Sequence, residues 1–312
     1  MRPEVNPLSP PTLLVSWLAA AASLPAALAV AVFGQALGAM VGGCSWIGVA
    51  LPLGRPVWAL VNEPSLHFAS LGAASGYWLG STALSLIAAL ATIPVTPRPR
   101  TVAAEIAVLQ FAWANATVGL AWLPLLDRDD GHLARWLDLH HLPGHLLWLA
   151  PALSVPAAVI IAVRLLSLTR AAHQYVGPFT RLLTVALHLL PLPILCIATA
   201  SAATGALPTM ATVALAAPIV AVLGVAVRGL PSPYVHTLQP VRVSAVALLT
   251  LALLAGATLI GFAGRPLPDH RVAGLLWSEA FASNNIRPWI DTGANRQKEQ
   301  PGSGQERPSS PE

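Results

Sequence analysis

From Val5 to Gly54 the chain carries no Asp, Glu, Lys or Arg. An uncharged stretch of that length has little to offer water, so it belongs in lipid or inside other protein. In hydrocarbon every backbone N–H and C=O must be satisfied within the protein, which leaves helices and closed barrels as spanning structures. The rest of the 312 residues agree, with 55% hydrophobic and only 10% charged side chains and a mean hydropathy of +0.66. A soluble domain cannot cover itself with so few charges. The expected fold class is therefore all-α, a polytopic integral membrane helix bundle whose first partner is the lipid bilayer.

Apolar runs bounded by Pro, Gly and charge predict seven transmembrane helices, at about 12–33, 70–93, 103–124, 146–164, 182–203, 208–227 and 243–264. The fifth and sixth form one uncharged run that is split at the hairpin "SAATGALP". The first run is longer than the apolar core of a signal peptide and reads as a retained helix. Residues 34–54 are apolar but glycine-rich and follow the first span without a polar break, which predicts a re-entrant or interfacial segment. The expected organisation is a membrane core over 1–150, additional helices over 146–264, and a polar tail over 265–312, disordered from about residue 291.

Sixteen arginines and one lysine give a net charge of +4, but they are scattered through short loops without a basic stripe or aromatic platform, so nucleic acid is not an expected partner. Their placement bears on orientation. With a cytoplasmic N-terminus, Arg2, Arg98, Arg100, Arg164, Arg170, Arg181, Arg228 and Arg242 fall on the inner side, against Arg55, Arg128 and Arg135 outside. That pattern, with arginine and alanine in place of lysine, suits a bacterial plasma membrane. Cys44 and Cys196 lie in separate apolar segments and suggest no disulfide.

The polar exception is 127–145, "DRDDGHLARWLDLHHLPGH", with four aspartates and four histidines. Seven spans put the loops after the first and third helices on one side. Glu63 and His67 would then gather with Asp127, Asp129, Asp130, His132, Asp138, His140, His141 and His145. Imidazole with carboxylate suits zinc or copper. The candidate ligands are Asp130, His132, His140, His141 and His145, with Asp127 and His67 as more distant members. The other reading is a solvated connector that caps two helices. His141-Leu-Pro-Gly-His145 has the spacing of a zinc peptidase motif, but Leu142 stands where that chemistry needs a glutamate. Pro143 also argues against a helix through both histidines.

Among the remaining polar groups, Glu105 reads as interfacial. His188, within a span, is either a functional group or a neutral ring bonded to a nearby carbonyl. Trp46, Trp58, Trp78, Trp122, Trp136 and Trp148 fall where an aromatic belt would anchor the bundle. Gly34, Gly38, Gly42, Gly72, Gly76 and Gly80 permit close helix approach, within one chain or between chains.

Three stretches carry a resemblance to the membrane-embedded site-2 proteases, zinc metallopeptidases of family M50. "AVFGQALGAMVGG" (31–43) looks like their first core helix, "LGAASGYWLGSTALSLIAAL" (71–90) like the second, and "ANATVGLAWLPLLDRDDG" (114–131) like the third. The resemblance covers roughly 12–150. It puts the family's two histidine ligands on Ala31 and Gln35 and its glutamate on Val32, leaving Asp130 or Asp127 as the one surviving ligand position. What it implies is the scaffold without the zinc site: a pseudoenzyme that binds or regulates another membrane protein without cutting it. The alternative is an extracytoplasmic protein handling zinc or copper through the 127–145 loop. An active enzyme would need an improvised ligand set.

Overall fold

A computed structural model of the chain describes residues 8–41, 46–50, 58–61, 71–92, 102–126, 132–167, 177–204 and 207–229. Helix α1, Pro10–Val41, runs for 32 residues, about 48 Å at 1.5 Å per residue. It does not stop where the expected first span stops. Gly34 through Val41, read from sequence as the start of a re-entrant segment, continue the helix. Residues beyond it form an antiparallel ribbon of β1, Trp46–Ala50, and β2, Trp58–Val61, paired Trp46 to Val61 and Ala50 to Trp58.

The continuation is explained by what lies against it. Helix α2, Leu71–Thr92, packs on α1 with Gly34 against Gly80 and Gly38 against Gly76. One register rises as the other falls, so the two helices are antiparallel. A Cβ on Gly76 would stand 2.6 Å from the Gly38 carbonyl oxygen, and one on Gly38 would fall on the Gly76 carbonyl. The glycines therefore serve contact within one chain, backbone on backbone.

Helix α3, Val102–Ala114, passes without a break into a π-helical stretch, Asn115–Trp122, and a 3-10 turn, Leu123–Leu125. Every residue of the π-helical stretch is buried, and it lies at the centre of the bundle between α1, α2 and α5. Helix α4, His132–Leu139, is short. A 3-10 turn, Gly144–Trp148, then leads into α5, Leu149–Ser167.

The expected span 182–203 is a broken one. Helix α6, Pro178–Leu189, and α7, Pro191–Thr204, meet at 43°. Pro191 and Pro193 have no N–H for the carbonyls of Leu187 and Leu189, four residues back. Neighbouring side chains supply the missing donors. Trp17 Nε1 donates to the Leu187 carbonyl at 2.9 Å, Gln110 Nε2 to that of His188 at 2.7 Å, and Trp113 Nε1 to that of Leu189 at 2.7 Å. Three consecutive carbonyls at the break, two of them freed by proline, thus accept hydrogen bonds from α1 and α3.

Helix α8, Thr209–Arg228, follows the predicted hairpin and ends on Gly229, whose φ of 66° is left-handed. Arg181 of α6 donates from Nε to the Ala226 carbonyl at 3.1 Å, and from its terminal nitrogen to that of Val227 at 3.2 Å. A cation on the last carbonyls suits the negative end of the helix.

Among the described residues, four helical stretches are long and apolar enough to cross a bilayer, and the bent α6–α7 pair makes a fifth if it is one span. They match expected spans one, three, four and six, with the pair matching span five. The second expected span coincides with α2. The seventh, at 243–264, and the polar tail lie outside the described residues. Large apolar side chains such as Leu37, Ile87, Phe179, Ile194 and Val220 point outward, a surface compatible with lipid.

Candidate functional site

The polar groups gather in three places. At the end of the bundle where α2 begins, Ser75 meets the α4 segment. Its Oγ lies 2.7 Å from His140 Nε2 and accepts a hydrogen bond from Trp136 Nε1 at 3.1 Å. The Trp136 and His140 rings lie 4.9 Å apart at 49°. The start of α2 and the segment after the third helix therefore meet at one end of the bundle, while Glu63 and His67 lie outside the described residues. Ser75 was not among the candidates read from sequence. A small residue in a glycine-rich helix carried no sign that a histidine of a distant loop would meet it.

The expected metal ligands divide. His140 is half-buried and bonded to Ser75. His141 and His145 are exposed, and His141 has a φ of 53°, in the left-handed region. Pro143 is extended and starts the 3-10 turn that holds His145, so no α-helical turn joins His141 and His145. His132 opens α4, but its side chain lies outside the described residues, as do Asp127, Asp130 and His67. Among the described residues no group of three or more His, Cys, Asp or Glu side chains is placed to hold a metal.

The positions at which the family resemblance would put zinc ligands are also occupied by packing. Ala31, Val32 and Gln35 are all buried, within the stretch of α1 that lies against the α2 glycines. Trp78 and Trp122, expected in an aromatic belt, are buried as well, while Trp148 is partly exposed and Trp136 is tied to Ser75. Tyr77 packs edge-on against Trp78 at 4.8 Å.

The second place is the pair Glu105–Arg164. Glu105, expected at the interface, is buried at the start of α3, and its Oε1 lies 2.9 Å from an Arg164 terminal nitrogen at the end of α5. Arg164 is thus an internal partner, not a loop charge. Each ion satisfies the other where water does not reach, and removing either would leave an uncompensated buried charge.

The third is the proline break. Gln110 there also donates to Ser16 Oγ at 2.8 Å, so one amide joins α1, α3 and α6. His188 is buried beside it. In the π-helical stretch, Asn115 Nδ2 and Thr117 Oγ1 donate to the Phe111 and Trp113 carbonyls at 2.9 and 2.7 Å. Ser85 of α2 packs directly on Gly119, its hydroxyl buried without a hydrogen-bond partner among the described residues.

Among the described residues these features define a helical bundle with four to five apolar, membrane-length helices and an apolar core that holds several buried polar groups. No protein-family model matches the chain, and comparison with curated proteins and with solved structures gives no significant match.

Proposed function

We propose that the chain is an integral membrane protein of a bacterial plasma membrane, N-terminus cytoplasmic, that binds or regulates another membrane protein without zinc-peptidase chemistry. One observation carries the reading. Ala31, Val32 and Gln35, where the resemblance would place two ligands and a glutamate, are 1%, 3% and 0% exposed. Alanine and valine carry no donor, and glutamine is a poor ligand for zinc. That part of α1 does helix packing.

The test places a photo-crosslinking amino acid at exposed Leu153 or Val220 in the living membrane. A discrete adduct whose partner is intact, with or without a zinc chelator, supports the reading. Partner fragments that disappear with the chelator would end it, as would a chain that crosslinks to nothing and elutes alone from native lipid discs. Cysteine labelling at His141 and His145 against Arg228 checks the orientation, which requires the first two on the side opposite the third.

A second reading is zinc or copper handling outside the cytoplasm. It is favoured by His141 and His145 both being exposed at the end that holds His140. Elemental analysis of the purified protein tests it. Stoichiometric metal lost on changing His140, His141 and His145 to alanine supports it, and metal-free wild type removes it.

A further inference from the structure

The contact between Ser75 and His140 is more than a tie between helices. A serine hydroxyl 2.7 Å from an imidazole nitrogen is within the reach a nucleophile needs from its base. Both residues are half-buried at the end of the bundle, neither sealed in the core nor fully in solvent. Trp136 adds a second contact. An indole N–H can only donate, so Ser75 Oγ accepts from it and keeps its own proton to donate. The pair works as nucleophile and base in the tautomer that carries the His140 ring proton on Nδ1 and leaves Nε2 to accept. The backbone just after it is fixed in an uncommon conformation: His141 at φ 53° closes the turn that ends α4 and sets where His140 stands.

We propose that Ser75 and His140 form a metal-free nucleophile–base pair that transfers the acyl group of a carboxylic ester presented at this end of the bundle. Ser75 Oγ bonds to the ester carbon as its proton passes to His140 Nε2. The carbon–oxygen bond to the alcohol then breaks, and His140 returns the proton to the departing alcohol. Water reverses the sequence: its oxygen bonds to the acyl carbon as it loses a proton to His140, the carbon–Oγ bond breaks, and His140 returns the proton to Ser75 Oγ. The products are one alcohol and one carboxylic acid, with no oxidant or metal consumed. The Trp136 N–H, 3.1 Å from Oγ, holds the hydroxyl in place beside His140. An ester is the fitting class because an alcohol oxygen leaves more readily than an amide nitrogen and asks less of a two-residue site. The pair uses other residues than the binding reading and stands whether or not that reading holds.

A fluorescent fluorophosphonate, which forms a stable bond only with an activated serine, tests this on the full chain in detergent. The expected result is a label mapped to Ser75 in the wild type, absent from Ser75→Ala. In His140→Gln, which keeps a hydrogen-bonding group without a base, labelling should slow by about 100-fold, the usual contribution of a general base. Gel filtration and helix content confirm that each variant is folded, and His140→Asn takes the place of His140→Gln if the latter is not. A folded wild type that leaves Ser75 unlabelled overturns the proposal on its own, and so does labelling at an undiminished rate without the imidazole. Ser75→Ala should keep the crosslinked partner while losing the label, which separates this proposal from the binding reading.

Discussion

The α1–α2 seam and the contacts of α3 with α5 and α6 join helices by opposite means. At the seam there is almost nothing between the backbones, since Gly34, Gly38, Gly76 and Gly80 remove the side chains and leave carbonyl against Cα. Around α3 the helices are joined by side chains instead, through Glu105 to Arg164 and through Gln110 and Trp113 to the carbonyls of the proline break. Lipid tails are as apolar as leucine, so burying apolar surface gains little between helices in a membrane, and close packing and hydrogen bonds remain. This bundle uses one on each side of its centre. The difference predicts different failures, because the seam tolerates no added volume and the α3 contacts tolerate no lost partner.

Gly38→Leu should have the largest effect. Its first carbon already falls on the Gly76 carbonyl, and a backbone cannot rotate aside as a side chain can. The loss should reach or exceed about 3 kcal/mol, the upper end of ordinary overpacking costs, and gel filtration should show little monodisperse protein. A well-folded Gly38→Leu would mean that the seam is not closed. Arg164→Met comes next, at about 3–5 kcal/mol, because it removes the cation paired with the buried Glu105 carboxylate. Thermal unfolding of Arg164→Met, Glu105→Leu and the double variant forms a cycle. The double variant should recover most of the loss, and additive losses would show that the two ions do not depend on each other.

Gln110→Leu should cost less, about 1–3 kcal/mol, by leaving the His188 carbonyl and Ser16 hydroxyl without their shared donor. Hydrogen exchange in α6 and α7 gives the local readout. Amides near the break should lose protection while those of α1 and α2 flanking the glycines keep it. Equal loss in both places would erase the distinction between the two modes of contact.

The same distinction governs how much the sequence reveals. Glycines four residues apart are a pattern within each helix, and Gly34, Gly38, Gly76 and Gly80 were legible as close-approach positions; only their destination within one chain was not. The start of α8 at Thr209 and the blocked helix at Pro143 were legible too, because glycine and proline act locally. Glu105 and Arg164 were misplaced because each stands near the end of an apolar run, where a charge ordinarily reaches water. Nothing local says that the two ends coincide. Pro191 and Pro193 were visible, yet the donors that take their place, Trp17 and Trp113, come from α1 and α3, far away in the chain. The turn to π-helix at Asn115 has no sequence mark of its own. Of the metal candidates, the sequence placed His140 at the correct end of the bundle but could not give its partner, since Ser75 looked like one more small residue in a glycine-rich helix.

Ser85→Ala is the smallest of the expected effects and has the opposite sign. Ser85 stands between the two modes of contact, on the glycine-bearing helix α2 but facing the π-helical stretch, with its side chain against Gly119. Its hydroxyl is buried without a partner among the described residues, so it bears a desolvation cost that no hydrogen bond from them offsets. Alanine keeps the carbon that packs on Gly119 and removes the oxygen, and stability should rise by up to about 1 kcal/mol, as a higher thermal unfolding midpoint. Gly119→Ala at the same contact should destabilise, because the added carbon meets the Ser85 side chain. Combined with Ser85→Ala it should cost less than alone, since the oxygen it would strike is gone. If Ser85→Ala destabilises instead, the hydroxyl has a partner in the folded protein. The α2–π-helix contact would then belong with the polar contacts around α3, not with the glycine seam.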